Sequence, residues 1–529
     1  MRNITKRRPV VLALVLLLAG CGIYLTTFAI QVDRNPLRAD EVDYFQCMRN
    51  ITVLGKPLYY AGEIDLSPDN VLPLSREVLA GRSFDFYRFR PETGILKQTY
   101  FAIADGDSRY TYCLWHPPLY VYLGGLFLRL FDPAVAQPAL LRTMNLVYVL
   151  GMLIGMGFLI RELYRPGWLL GLGLASVLFA TNSLAVRAGL LIDYNGALAQ
   201  CVAVWAAWAY LRLDRQLRAM PFAIFLLALT FAVGLGVGAS MLLGLLLWTL
   251  LFRRGVTLIR HIAAAAGGVL LFIAAFWLFS QLAGLPFSQP FLHNFQRADL
   301  QAPLSSRLVA VVRFTGWYAR EIGLGAIILG VLIGLYHLLH KQADRLLVPV
   351  LILVAVISHA GLSGDAYGFP KYVGFALPLL FALIGGELGT LAQASRWRPF
   401  AVALFLILSL AQAWQSREIL ARPSGTLYMR GEQGFLRAAY ATAANTGPSD
   451  TLLSSKDLAF YADRNFVEWY GSSLAELSVL QRRVKNEQVT AIAASQALLS
   501  AASPEVATWV ATHTTLILED GDFQLRQLR

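Results

Sequence analysis

Asp40 and Glu41 stand about ten residues beyond the first long apolar stretch, within Arg38-Ala39-Asp40-Glu41-Val42-Asp43-Tyr44. A carboxylate placed where a membrane ends and water begins can take a proton from an acceptor while a second substrate stays in lipid. The plainer role for one acidic pair is a loop flanking a helix. Three other positions carry groups of complementary chemistry. Trp115-His116-Pro117-Pro118-Leu119-Tyr120 opens an apolar segment. Arg187 is followed by Asp193-Tyr194-Asn195. Pro370-Lys371-Tyr372 precedes another apolar run, with Pro378 one to two turns on. Each also has a structural role open to it. Pro-Pro is a stiff helix start, Asp193 suits a helix N-cap, and Arg187 and Lys371 suit snorkelling at an interface. Together, two acidic and two basic sites suit a phosphate leaving group and a hydroxyl or amine nucleophile.

These positions need a frame, and the composition says which. The chain has 529 residues, 57% hydrophobic and 15% charged, where a soluble domain carries about 25% charged residues. Its many long apolar runs make an all-α polytopic membrane protein. Helices are expected at 9–31, 140–160, 167–185, 192–211, 220–237, 239–252, 259–282, 322–339, 346–362, 371–391 and 399–416, about eleven spans. The Leu18-Ala19-Gly20-Cys21 stretch resembles a lipoprotein cleavage box, but the apolar run continues to Ile30. An uncleaved first helix is therefore expected.

The net charge of +12 points away from nucleic acid once its distribution is read. Threading from an inside N-terminus puts 1–8, 161–166, 212–218, 253–260, 340–345 and 396–398 in the cytoplasm. These six segments hold sixteen Lys/Arg against Glu162, Asp214 and Asp344. That is the positive-inside pattern. It leaves 32–139, 283–321 and the tail from about 422 outside. Pro117 to Phe131 is short for a span and reads as an interfacial helix, since counting it would reverse the bias of every later loop.

Thr451–Ser455 and Thr515–Leu518 read as strands, Ser473–Arg483 and Ser503–Ala511 as helices, and Val489–Ala494 as a strand or a helix end. The tail is thus a small α/β domain at 422–529, following a membrane module at 1–421 that includes the loop 32–139. Cys47 and Cys113 share that loop, where an oxidising compartment would permit a disulfide. No metal-type spacing is readable, and neither metal nor cofactor is expected.

The order of these motifs resembles the bacterial GT-C glycosyltransferases that use polyprenyl-phosphate sugars, the protein O-mannosyltransferase and lipid A aminoarabinose transferase superfamily. The likeness rests on Asp40-Glu41 in the first outside loop and on His116-Pro117-Pro118-Leu119-Tyr120 before the second span. It rests also on Arg187 with Asp193, and on Lys371-Tyr372 with Pro378. His116 stands where the aminoarabinose transferases carry Lys, and Lys371 where Arg is common. The resemblance implies a GT-C fold with a small periplasmic α/β domain, in the inner (plasma) membrane, with the active site and C-terminus periplasmic. It implies an inverting transfer from a polyprenyl-phosphate sugar to a glycan, lipid or protein acceptor. Asp40 would be the base and Glu41 its support. Arg187 and Lys371 would bind phosphate, with His116 assisting, Asp193 positioning, and Tyr120 and Tyr372 lining the substrate site. A multi-pass transporter is the other reading. It would place ionisable groups at mid-membrane in broken helices and inverted repeats.

Overall fold

The computed structural model describes residues 2–32, 37, 40–54, 57–60, 83–90, 95–102, 110–112, 114, 116–131, 138–285, 287–297, 303–363, 370–421, 435–447, 450–462, 464–469, 472–486 and 488–529. They divide into two compact units. The first comprises 1–34, 115–120 and 142–423, and the second 35–114, 121–141 and 424–529.

The first unit is helical. Helix α1 (Arg2–Gln31) begins it; α2 (Asp40–Leu54) and most of α3 (Leu119–Leu128) belong to the second unit. There follow α4 (Pro138–Leu163), α5 (Trp168–Thr181), α6 (Ser183–Leu190), α7 (Ala197–Arg212), α8 (Met220–Val233), α9 (Leu235–Phe252) and α10 (Gly255–Ala283). Then come α11 (Gln289–Arg297), α12 (Leu304–Ile322), α13 (Leu324–Leu339), α14 (Leu347–Ser363), a 3-10 helix (Pro370–Ala376), α15 (Leu377–Gln393) and α16 (Arg398–Ala421). Every one of the eleven expected segments therefore carries a helix. Among the described residues, six helices are long and apolar enough to cross a membrane, or eight if each of two bent pairs is one span. The short α3 has ten residues. At about 1.5 Å per residue it falls well short of a ~30 Å hydrocarbon layer.

Helix α15 is buried along nearly its whole length, whereas α1, α10 and α16 turn large apolar side chains outward. A water-soluble protein does not expose apolar surface on this scale; lipid-facing helices must. Small residues set a close backbone contact. A Cβ added to Gly171 would lie 2.9 Å from the carbonyl oxygen of Gly385, so α5 and α15 touch backbone to backbone. Van der Waals packing of small residues of this kind replaces the hydrophobic drive that lipid cannot supply.

At one end of this unit an ionic chain joins four loops. Glu162 pairs with Arg212 (3.2 Å) and with Arg215, and Arg253 pairs with Asp214 and with Asp344 (2.5 Å). These three acids are the ones the charge reading singled out.

The second unit contains α2, two small antiparallel ribbons and an α/β domain. Strand β1 (Leu58–Tyr60) pairs with β4 (Tyr110–Tyr112), and β2 (Ser83–Arg90) with β3 (Ile95–Ala102). The domain starts at α17 (Phe435–Asn445) and runs through β5 (Thr451–Ser454), α18 (Lys456–Ala462), β6 (Asn465–Glu468), α19 (Ser472–Ala475) and α20 (Leu477–Asn486). It ends with β7 (Ala491–Ser495), α21 (Gln496–Ala501), α22 (Pro504–His513), β8 (Thr514–Asp520) and β9 (Phe523–Leu528). The sheet order is β6-β5-β7-β9-β8, the first three parallel and the last two antiparallel. Leu453, Ile492, Leu480, Val506 and Trp469 form its core. Val489–Ala494 thus resolves as a strand, while β6, β9, α17, α18 and α21 are additions to the sequence reading. Cys113 lies outside the described residues, and with it the Cys47–Cys113 pairing.

Candidate active site

In the first unit the site is built around a broken helix. The sequence reading runs one helix through 167–185; the structure bends it by 74° between α5 and α6. The cause is Asn182. Its side-chain oxygen accepts hydrogen bonds from Leu184 N (3.0 Å) and Ala185 N (3.3 Å), the N-cap arrangement that starts a new helix. Its amide donates to the Ile322 carbonyl (3.0 Å) at the end of α12. There Gly323 takes φ 101°, a conformation L side chains avoid, and the chain turns by 110° into α13.

One turn into α6, Arg187 meets that same helix end. Its Nη1 lies 3.3 Å from Glu321 Oε2, and both side chains are largely buried. Arg187 is therefore not a snorkelling anchor but a paired guanidinium inside the unit. Glu321 is the site residue that sequence reasoning missed. Beside Arg320 it reads in sequence as an ordinary local ion-pair candidate, and nothing there ties it to Arg187.

The loop after α6 is braced from α4. Arg142 Nε donates to Leu190 O (2.9 Å) and Arg142 Nη1 to Val32 O (2.9 Å). Asn145 Nδ2 donates to Gly189 O (2.8 Å) and Leu191 O (3.0 Å). Tyr120 Oη, which is buried, donates to Asn145 Oδ1 (3.3 Å). So Tyr120 acts within a network that holds the carbonyls at 189–191. Buried carbonyls at a chain break need such partners.

Asp193 is buried in that loop. Its Oδ1 accepts from Asn195 N (3.0 Å) and Asn195 Nδ2 (3.2 Å), an Asx turn. It does not cap α7, whose N-cap is Gly196. Next to it, the Tyr194 ring packs on His116, with centroids 3.9 Å apart. His116 is likewise buried.

Lys371 and Tyr372 lie on the 3-10 helix Pro370–Ala376, which packs against α6 and α7. Gln200 Nε2 of α7 donates to Gly374 O (3.1 Å) and Tyr318 Oη of α12 to Val373 O (3.2 Å). The Lys371 and Tyr372 side chains are outside the described residues. The segments bearing His116, Arg187, Asp193 and Lys371 thus meet at one end of the first unit.

In the second unit, Asp40 is the first residue of α2. Glu41 and Asp43 are buried, while Asp40 is half-buried. Asp43 pairs with Lys456 at the start of α18. Tyr461 Oη accepts from Leu37 N (2.5 Å), and Phe45 meets Phe460 edge-on at 6.3 Å. The helix that carries the acidic motif is therefore docked on α18, the helix that follows β5 in the C-terminal domain. Of its three acids, Asp40 is the most accessible. Among the described residues no cluster of His, Cys, Asp or Glu could hold a metal ion.

No protein-family model matches the sequence, and no curated protein matches it. Solved structures do. ArnT from Cupriavidus metallidurans bound to undecaprenyl phosphate superposes with a TM-score of 0.57 at 12% identity, over 96% of this chain and 97% of that one. The apo state of the same protein gives 0.53 at 14% identity, with the same shares covered. Nearly end to end, this chain has the GT-C fold of the aminoarabinose transferase, the fold its motif order foretold.

Proposed function

We propose that the chain is an inverting glycosyltransferase that moves a hexosyl or pentosyl unit from a polyprenyl-phosphate donor to an envelope acceptor on the periplasmic face. The acceptor's hydroxyl or amine attacks the anomeric carbon as the bond to the lipid phosphate breaks. The phosphate leaves with the bonding electrons. Asp40 receives the acceptor's proton, and Glu41 supports it from its buried position. Arg187 binds the phosphate, joined by Lys371. Fixed positive charge in a water-poor site stabilises the anion that develops there, and arginine adds a two-pronged fork. His116 donates a hydrogen bond to the donor. Asp193 keeps its loop in shape around the sugar, with Tyr120 and Tyr372 as further lining. No cofactor is required.

The observation that carries this reading is the convergence of the His116, Arg187, Asp193 and Lys371 segments on a fold shared over 96% of the chain with ArnT. That protein holds undecaprenyl phosphate in its solved structure. The test is to incubate the purified protein in nanodiscs with radiolabelled polyprenyl-phosphate sugars and an envelope extract. Label should move to an acceptor and free polyprenyl phosphate should appear. Counter-flow of solute in proteoliposomes, without release of polyprenyl phosphate, would establish the transporter instead.

A further inference from the structure

Helix α4 links two different chemistries. Arg142 and Asn145 near its start brace the candidate active site, and Arg161 stands near its end. At 1.5 Å per residue those ends are roughly 28 Å apart, about a hydrocarbon layer. Around Arg161 is a cavity of about 470 Å³, lined by Arg161, Arg165, Arg212, Trp168, Trp208 and Phe158.

Its charge is unbalanced. The one acid in its wall, Glu162, is already held by Arg212 and Arg215. Arg161 and Arg165 are both exposed, and among the described residues neither has a carboxylate within 4.0 Å. Arg161 instead lies over the Trp168 ring at 5.7 Å, and Arg212 over Trp208 at 5.7 Å.

The surface running down from the cavity is apolar. Val147, Leu150, Ile154 and Phe158 form an exposed stripe on α4 with helical spacing, and Arg161 is the next residue on it. Phe158 and Phe222 flank Trp208, with ring centroids at 5.3 and 5.9 Å. Aromatic rings below cationic heads are the signature of a membrane–water interface.

We infer that this cavity binds the phosphodiester headgroup of an anionic membrane phospholipid, with an acyl chain along the α4 stripe. A free anion would need only the arginines. The continuous apolar stripe that ends on them supplies the second half of a lipid site. Basic pockets between membrane helices take lipid headgroups in this way. This site is separate from the one proposed for the polyprenyl donor.

The test uses the full chain in detergent and native mass spectrometry, with phosphatidylglycerol and phosphatidylcholine as probes. The protein should retain phosphatidylglycerol and not phosphatidylcholine. Arg161→Gln with Arg165→Gln should weaken retention by on the order of tenfold or more, with an unchanged melting temperature because both residues are exposed. Arg187→Ala should leave phosphatidylglycerol retention intact. Equal retention of both lipids, displacement by excess inorganic phosphate, or loss in Arg187→Ala but not in the double variant would each overturn the assignment.

Discussion

Arg187 Nη1 lies 3.3 Å from Glu321 Oε2, joining the short helix after a membrane-helix break to the last turn of α12. The neighbouring residue, Ile322, is bonded by the Asn182 that makes the break. Two adjacent backbone positions thus fix both the start of α6 and the head of its arginine.

Glu321 should act on the donor through Arg187. Arg187→Ala is expected to weaken undecaprenyl-phosphate binding by about 1.5–3 kcal/mol, the size of a hydrogen bond to a charged group. Glu321→Ala should approach that loss, and Glu321→Gln should fall between, since its amide oxygen still accepts. Titration in detergent measures all three. Tighter binding by Glu321→Ala would show that the carboxylate competes with phosphate rather than orienting the guanidinium.

Asp40→Asn should separate chemistry from structure. Asp40 opens α2, and Asn suits a helix start as well as Asp does. Thermal stability and donor binding should stay near normal, while transfer falls by roughly two orders of magnitude or more. Near-normal transfer by the folded variant would remove Asp40 as base and move the test to Glu41.

Removing Arg142 should cost stability. Arg142→Ala leaves the carbonyls of Leu190 and Val32 without this partner. Each such loss costs about 1–3 kcal/mol. A lower melting temperature in detergent is expected. Asn145→Ala, which withdraws the donor to Gly189 and Leu191, should act in the same direction.

Asp43 and Lys456 should behave as a buried pair. Asp43 is 1% exposed, so Asp43→Asn breaks a buried ion pair with Lys456, at a cost of about 3–5 kcal/mol. Adding Lys456→Met should restore much of it. A double variant no better than the single one would mean that the pair is not what holds α2 to α18. Differential scanning of the full chain gives the comparison.

Eleven apolar stretches were legible from hydropathy and each carries a helix, whereas among the described residues six helices, or eight with each bent pair joined, are long and apolar enough to cross a membrane. The break at Asn182 was not. Its cap signal lies in Thr181-Asn182-Ser183, but apolar residues continue on both sides, and hydropathy averages over the turn. The Arg187 position was legible from motif order, whereas Glu321 was not. Only the folded chain brings α6 to the end of α12. In the tail, β6 has four residues, too few to show alternation, while β9 does show it in buried Phe523 and Leu525. That the first long loop groups with the C-terminal domain depends on Asp43–Lys456 and Phe45–Phe460, contacts across most of the chain.

The chain of ion pairs through Glu162, Arg215, Asp344, Arg253 and Asp214 gives the bundle two ends that answer to different solvents. Of these five, Arg215 and Asp344 are the exposed ones, at 38% and 50%, and meet at 4.0 Å, while Glu162, Arg253 and Asp214 are largely buried; salt screens exposed charges far more than buried ones. The far end is held by donors reaching backbone carbonyls, which salt barely touches. Concentrated salt therefore loosens the Arg215–Asp344 link and leaves the buried pairs and the Arg142–Asn145 brace in place, so ionic strength becomes a handle for slackening one seam at one face of the bundle while the other keeps its shape.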